Sequence, residues 1–136
     1  MANIISILKG SVARFPDRLA LIEASGQQWT FREFDMLRQR RKTFLQQKGV
    51  KQGDRVLVLL PMSLDLYVNV LALFSIGAVP VFLDQWISRK VLGDCLEMVP
   101  CKALIGGLKL RLASRVFKET RGIKIRLSPE GLSQKL

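Results

Sequence analysis

Histidine is absent from the 136 residues, and the chain has two cysteines, one tyrosine and two tryptophans. Without an imidazole there can be no Ser-His-Asp triad, no Cys-His nucleophile, no histidine metal ligand and no histidine acid–base chemistry. Cys95 and Cys101 stand six positions apart, outside any CxxC spacing, and read as small core residues. No repeat and no low-complexity stretch occurs. A secretory signal is not expected, because Ser6, Lys9, Gly10 and Ser11 interrupt the apolar residues of the N-terminus. One long run has no charge at all: the eighteen residues from Leu66 to Leu83. That length meets the usual threshold for a membrane span. Asn69, Ser75, Gly77 and Pro80 lie inside it, however, and aspartates flank it where basic anchors would be expected. The run therefore predicts a buried helix followed by a buried strand, no membrane span and a cytoplasmic protein.

Acidic residues are scarce too, 11 against 22 Lys and Arg, which leaves a net charge of +11. The imbalance sits at the ends. Residues 1–50 carry nine basic and four acidic side chains, 51–101 four and five, and 102–136 nine and two. A basic surface attracts nucleic acid or another anionic partner, so one reading is a stand-alone basic binding module. Binders of single strands interleave aromatics with their cations, whereas the basic C-terminal third has Phe117 alone. The expectation is a solvated face with no specific nucleic-acid partner.

What the chain does have is 49% hydrophobic residues, enough for a core, and a central phrase from Gly49 to Asp84 that organises the remainder. Gly49 stops a preceding helix, and Gly53-Asp54 is a turn dipeptide before the apolar run Arg55–Leu60. Pro61 ends that strand. Ser63 is placed to cap a helix from Leu64 to Ile76, apolar nearly all round and therefore expected to be buried, with Gly77 closing it. Ala78–Leu83 is a second strand after a crossover of helix length, which makes a βαβ unit with Arg55–Leu60 and Val79–Leu83 at the centre of the sheet.

Upstream, residues 3–14 predict a short amphipathic helix capped by Asn3, with Ile4, Ile7, Leu8 and Val12 on one face. Leu19–Ala24 and Gln28–Phe31 predict a hairpin around Ser25-Gly26. Thr30 and Glu33 have capping-box spacing for a helix to about Lys48, with Phe34, Leu37, Phe44 and Leu45 inward and Arg38, Arg40, Arg41 and Lys42 on a solvated face. Downstream come a helix from the Ser88 cap to Met98, a strand at Lys102–Ile105, a turn at Gly106-Gly107, a basic helix from Leu108 to about Lys118, a strand at Ile123–Leu127 and a tail from Ser128. The alternation predicts an α/β fold: an open, mostly parallel sheet with helices on both faces, plus a short N-terminal hairpin.

No stretch carries an obvious reaction. Gly106-Gly107-Leu108-Lys109 follows a strand and precedes a helix, but lacks the G-x-x-x-x-G-K-[ST] spacing with which successive amides wrap a phosphate, and reads as an αL turn. Asp84 lies at the carboxyl end of a strand, where open α/β sheets bind ligands, and reads as a turn or cap residue. No catalytic, cofactor-binding or metal-binding residue is assigned.

The wording of the central phrase, GV-x-x-GDRV-x-x-x-LP followed by LFSIGAVPVFLD, resembles the N-terminal region of the adenylate-forming ligases, the acyl-CoA synthetases and their relatives. Phe15–Ile22 resembles that family's "PDRPALI", Trp29–Phe31 its "TYAEL" entry into the first long helix, and the likeness continues to Lys102–Ile105. The phrasing after residue 73 looks most like the olefin β-lactone synthetase and fatty-acyl ligase branch, although Asp84-Gln85-Trp86 departs from the usual Asp-Pro or Asn-Pro continuation. The resemblance implies activation of a carboxylic acid by ATP and Mg²⁺, commonly with transfer to coenzyme A. In the family this work uses a Ser/Thr/Gly-rich triphosphate loop, a Tyr-Gly-x-Thr-Glu segment, a ribose-binding aspartate and a C-terminal lysine, none of which has a matching position here. The expectation is an N-terminal fragment (residues 1–127, with 128–136 as tail) that depends on the remainder of a ligase domain, holds no cofactor and is inactive alone.

Overall fold

In the computed structural model, which describes residues 3–84 and 86–129, Asn3 and Ser6 cap each other's backbone amides and open α1, Ile4–Arg14. No residue of α1 is buried, and Ile4 and Ile7 face outward while Leu8 packs inward. β1, Leu19–Ile22, and β2, Gln28–Thr30, form the expected antiparallel hairpin, as a separate two-stranded sheet. The Thr30–Glu33 capping box then starts α2, Phe31–Gln47.

The central unit follows as β3, Arg55–Leu59; α3, Leu64–Ile76; and β4, Val79–Phe82. Ser63 accepts the Leu66 amide at the start of α3, and Gly77 at φ 81° closes it in the left-handed region that glycine alone enters without strain. α4, Arg89–Met98, begins at the Ser88 cap, followed by β5, Ala103–Gly106; α5, Leu108–Val116; and β6, Ile125–Leu127. All three pairings in this sheet are parallel, in the order β4-β3-β5-β6.

Alternate residues of β3 point to opposite faces, which divides the core in two. Val56 and Val58 join Ala103 and Ile105 beneath Leu45 of α2 and Ala72 and Leu73 of α3, whereas Leu57 and Leu104 meet Leu92 of α4 and Leu110 of α5. Helices thus cover both faces, as the alternation of elements implied. A third cluster, around Trp29, Phe34, Leu37, Leu64 and Val68, ties the hairpin to α2 and α3.

Four expectations change. β4 is an edge strand, and β5 takes the central place beside β3, because the chain crosses back past β3 through α4 before it pairs again. α3 buries only part of its circumference: Tyr67 and Phe74 are exposed, and Leu71 is half-buried. Arg38 and Arg41 are not on a solvated face but are buried against α3, while Arg40 is exposed. Gly106-Gly107 is no αL turn, since Gly107 is the extended N-cap of α5 at φ −62° and Gly106 belongs to β5. A Cβ at Gly106 would lie 2.6 Å from Leu110 Cδ2, so the glycine is there to let α5 approach the sheet. Of the expected tail, residues 130–136 lie outside the described residues.

Candidate functional site

β3 is followed by α3 on one face of the sheet and β5 by α5 on the other, so the crevice outside their carboxyl ends is a topological switch point, where open α/β sheets take ligands. A cavity of about 360 Å³ occupies that place, walled by Leu59 after β3, Leu104 and Gly107 around β5, Ile87 and Leu92 of the α4 segment and Leu110 of α5. The walls are mainly apolar. Asp84 borders the cavity and is a turn residue, as expected, its carboxylate accepting the Trp86 amide at 3.0 Å.

The other polar groups around this cavity are engaged with one another. Arg89 donates to Glu119 Oε2 at 3.2 Å and stacks 3.8 Å from the Phe117 ring centroid, so one aromatic face and one ion pair close the wall. Glu119 is held below the usual carboxylate range, first by its own backbone amide and then by Arg89. Ser114 Oγ donates to the Arg111 carbonyl and accepts from Arg126 Nε, each at 2.8 Å, and Thr120 Oγ1 donates to the Ser114 carbonyl at 2.9 Å. This arrangement provides an apolar recess with satisfied polar walls. It does not offer a reacting pair.

The residues present do not fit a nucleotide triphosphate and its metal. Gly107 caps α5 without a side-chain hydrogen bond and without the run of wrapping amides a phosphate cradle needs, and among the described residues no group of three His, Cys, Asp or Glu side chains could hold a metal ion. Cys95 and Cys101 are free, and burial raises the Cys101 thiol above its ordinary pKa, away from nucleophilic use.

The basic patch on α2 is partly an interior network. Arg38 pairs with Asp35 at 2.7 Å and donates to Ser75 Oγ, also at 2.7 Å. Arg41 donates from Nε to Asn69 Oδ1 at 2.6 Å and from Nη2 to the Ser128 carbonyl just beyond β6. Burial lowers the Arg41 pKa to about 10, against a smaller opposing pull from Asp65, so the group stays charged at neutral pH. A signal for this existed in the sequence: Asn69 and Ser75, two of the polar interruptions of α3, are acceptors for those two arginines, and Phe34, Leu37, Arg38, Arg41 and Leu45 share one helical stripe. Lys102 likewise spends its charge internally, on Asp54 at 2.7 Å and the Gly49 carbonyl at 2.9 Å. No helix among the described residues is long and apolar enough to cross a membrane.

Against known proteins, a family model described as "AMP-binding enzyme" matches residues 8–134. The 2,3-dihydroxybenzoate-AMP ligase of Bacillus subtilis (strain 168) is 37% identical over 76 residues, 56% of this chain and 14% of that protein. The medium-chain fatty-acid–CoA ligase of Escherichia coli (strain K12) is 26% identical over 125 residues, 91% of this chain and 21% of that protein, and olefin β-lactone synthetases also match. Among solved structures, the N-terminal subdomain of Klebsiella oxytoca NpsA superposes with a TM-score of 0.78 at 28% identity, over 95% of this chain and 32% of that one. The chain therefore spans less than a third of the length of each of these proteins.

Proposed function

Because this chain belongs to the AMP-binding enzyme family, we propose that it supplies part of the N-terminal scaffold of an ATP-dependent, acyl-activating ligase and that by itself it activates no acid. The match of the family model through nearly the whole chain carries this reading. The structure supports the scaffold role in a specific way: β3, β4, β5 and β6 form a parallel sheet with helices on both faces, while the crevice at the switch point is walled by apolar side chains and by polar groups already paired with one another. The ligase as a whole would join a fatty or other carboxylic acid to AMP at the expense of ATP, and commonly pass it on to coenzyme A. ATP, Mg²⁺ and the acid would be held by the remainder of the ligase domain. Two free cysteines accord with a cytoplasmic setting.

The alternative of a basic module for nucleic acid draws no support from the relatives, and the structure weakens it, since Arg38, Arg41 and Lys102 are committed to internal partners.

Alignment of an α-phosphate with a carboxylate needs convergent donors, a metal ligand and a positioned cation. Titration calorimetry with Mg-ATP is expected to show no saturable binding in the micromolar range, and pyrophosphate exchange with medium-chain, long-chain and aromatic acids is expected to match a no-protein control. Saturable binding, or exchange above the control, refutes the inactive-scaffold reading.

A further inference from the structure

We propose that the outward face of α5 lies against an anionic lipid bilayer, with Leu108, Leu112 and Val116 set among the headgroups and the cations beside them held to lipid phosphates. This surface is separate from the crevice and does not depend on the ligase reading. α5 has two apolar faces. Leu110 packs with Leu57 and Leu104, Ser114 is buried and Phe117 is half-buried, so positions three and four apart turn one side to the sheet. Leu108, Leu112 and Val116 stand at four-residue spacing on the other side, 62%, 53% and 76% exposed. Having buried its inner face, the helix keeps an apolar ridge in water.

The charges around the ridge decide what it meets. At about 100° per residue, Lys109 falls on one flank of the ridge and Arg111 and Arg115 on the other. None of the three joins an ion pair among the described residues, and Arg111 Nε is buried there without a hydrogen-bond partner. Arg121 and Lys124, both exposed, carry the positive charge past the end of the helix. Residues 102–136 hold nine Lys and Arg against two acidic residues, one of which, Glu119, is taken by Arg89. An apolar centre with snorkelling cations on both edges is the layout of a helix that rests in the plane of an anionic membrane interface. The chain would lie on the bilayer and not cross it, since no described helix is long and apolar enough to span one.

Other occupants fit this face less well. A nucleic acid would satisfy the cations and leave the ridge in water. A protein partner would enclose Lys109 at the core of its interface, where lysine is depleted, whereas a bilayer leaves the ammonium in the headgroup layer. Other exposed apolar side chains lack the charge. Val91 and Met98 share α4 with Asp94 and Glu97, which repel lipid phosphate, and the groove between the β1–β2 hairpin and α3, walled by Ile22, Met62, Tyr67 and Leu71, has Glu23 as its one charged wall residue.

The test is cosedimentation of this chain with vesicles of equimolar phosphatidylcholine and phosphatidylglycerol, compared with phosphatidylcholine alone. Binding to the anionic vesicles is expected to be at least tenfold stronger at low salt and to fade at about 1 M, where the Debye length is about 3 Å. Each Lys or Arg near an anionic surface is worth about fivefold, so Lys109→Gln with Arg115→Gln should weaken binding about 25-fold, and the equal charge loss of Lys9→Gln with Arg40→Gln should change it far less. Leu108→Ser with Leu112→Ser should cost at least tenfold while leaving the net charge alone. Equal binding to both vesicles, equal effects of the two Gln pairs, or a silent Ser pair overturns the proposal; the last of these, with duplex DNA bound through Lys109 and Arg115, would give the face to nucleic acid. Absence of binding to anionic vesicles overturns it as well, as does a dimer of the chain that the Ser pair dissociates, which would make a second copy the occupant. Should a variant fail to fold, amide hydrogen exchange of the parent chain decides: slowing by anionic vesicles in α5 and not in α4 upholds the proposal, and unchanged exchange in α5 overturns it.

Discussion

Replacing Asn69 by leucine should do more damage than its size suggests, and removing Arg41 as well should repair much of it. Asn69 is fully enclosed, accepts from Arg41 Nε at 2.6 Å and donates to the Asp65 carbonyl at 2.7 Å. Leucine fills the space and adds apolar burial of about 1 kcal/mol. It also takes an acceptor from a buried guanidinium, which costs about 3 kcal/mol for a charged donor. The net loss is about 2 kcal/mol, a large share of a marginal total. Arg41→Met loses the same hydrogen bond and the one to the Ser128 carbonyl, but it relieves the burial that lowers the arginine pKa to about 10, worth about 3 kcal/mol. It should therefore lie within about 1 kcal/mol of the parent, as replacement of buried charges by apolar groups often does. The double variant should be more stable than Asn69→Leu alone by about 2 kcal/mol. The assay is urea unfolding of all four proteins followed at 222 nm. If Arg41→Met destabilises the Asn69→Leu background further, the two side chains are not coupled and the account of Arg41 as a buried, Asn69-dependent charge is wrong.

Two other outcomes follow from burial and from charge. Leu73 is fully enclosed beneath α2 and the sheet, so Leu73→Asp should abolish soluble folded protein, while Leu71→Asp, at the half-buried groove wall, should leave a folded chain; equal solubility and circular dichroism for the two would contradict the partly buried α3. Asp54 is held below the ordinary carboxylate range chiefly by the Lys102 hydrogen bond, so its folded pKa is below its unfolded one and its contribution is present above the unfolded value and fades as pH falls through the folded one. Asp54→Asn should thus be less stable than the parent at pH 7, by less than about 1 kcal/mol at this partly exposed site, with the gap closing below about pH 4; a gap that persists at pH 2 would point to the Lys51 turn rather than the charge.

The parts of the fold that were legible are those with local causes. α3 runs from Leu64 to Ile76 as expected, because the Ser63 cap and the Gly77 stop act within a few residues of the ends they set. The parallel sheet was legible from helix-length crossovers, but strand order was not: nothing within β4 distinguishes an edge from a centre except Pro80, which permits the edge without requiring it. Arg38 and Arg41 were misplaced because residue type argues for solvent, and the groups that override it, Ser75 and Asn69, lie 37 and 28 residues away. At the candidate crevice, Asp84 could be placed by its position at a strand end, whereas the Arg89–Glu119 pair and the Phe117 stack depend on how α4 and α5 meet over the sheet. Gly106 looked like turn chemistry and is a packing requirement of Leu110, a distance only the assembled layers define.

The strand order also sets a schedule for synthesis. β3 lies between β4 and β5, yet β5 is translated only after β4 and α4 are complete. On a ribosome that adds about 5–20 residues each second, the β5-facing side of β3 stays unpaired for a few seconds after its other side has found β4. Val56, Leu57 and Val58, wholly or almost wholly enclosed in the finished protein, are in that interval an open apolar ladder attached to a tethered chain. Arg41 waits longer still, since the Ser128 carbonyl that receives its guanidinium emerges after every strand. Nascent copies on neighbouring ribosomes of one message carry the same exposed ladder at the same moment, so slowing translation between residues 60 and 102 should raise misassembly, and a holdase that binds apolar strands should lower it.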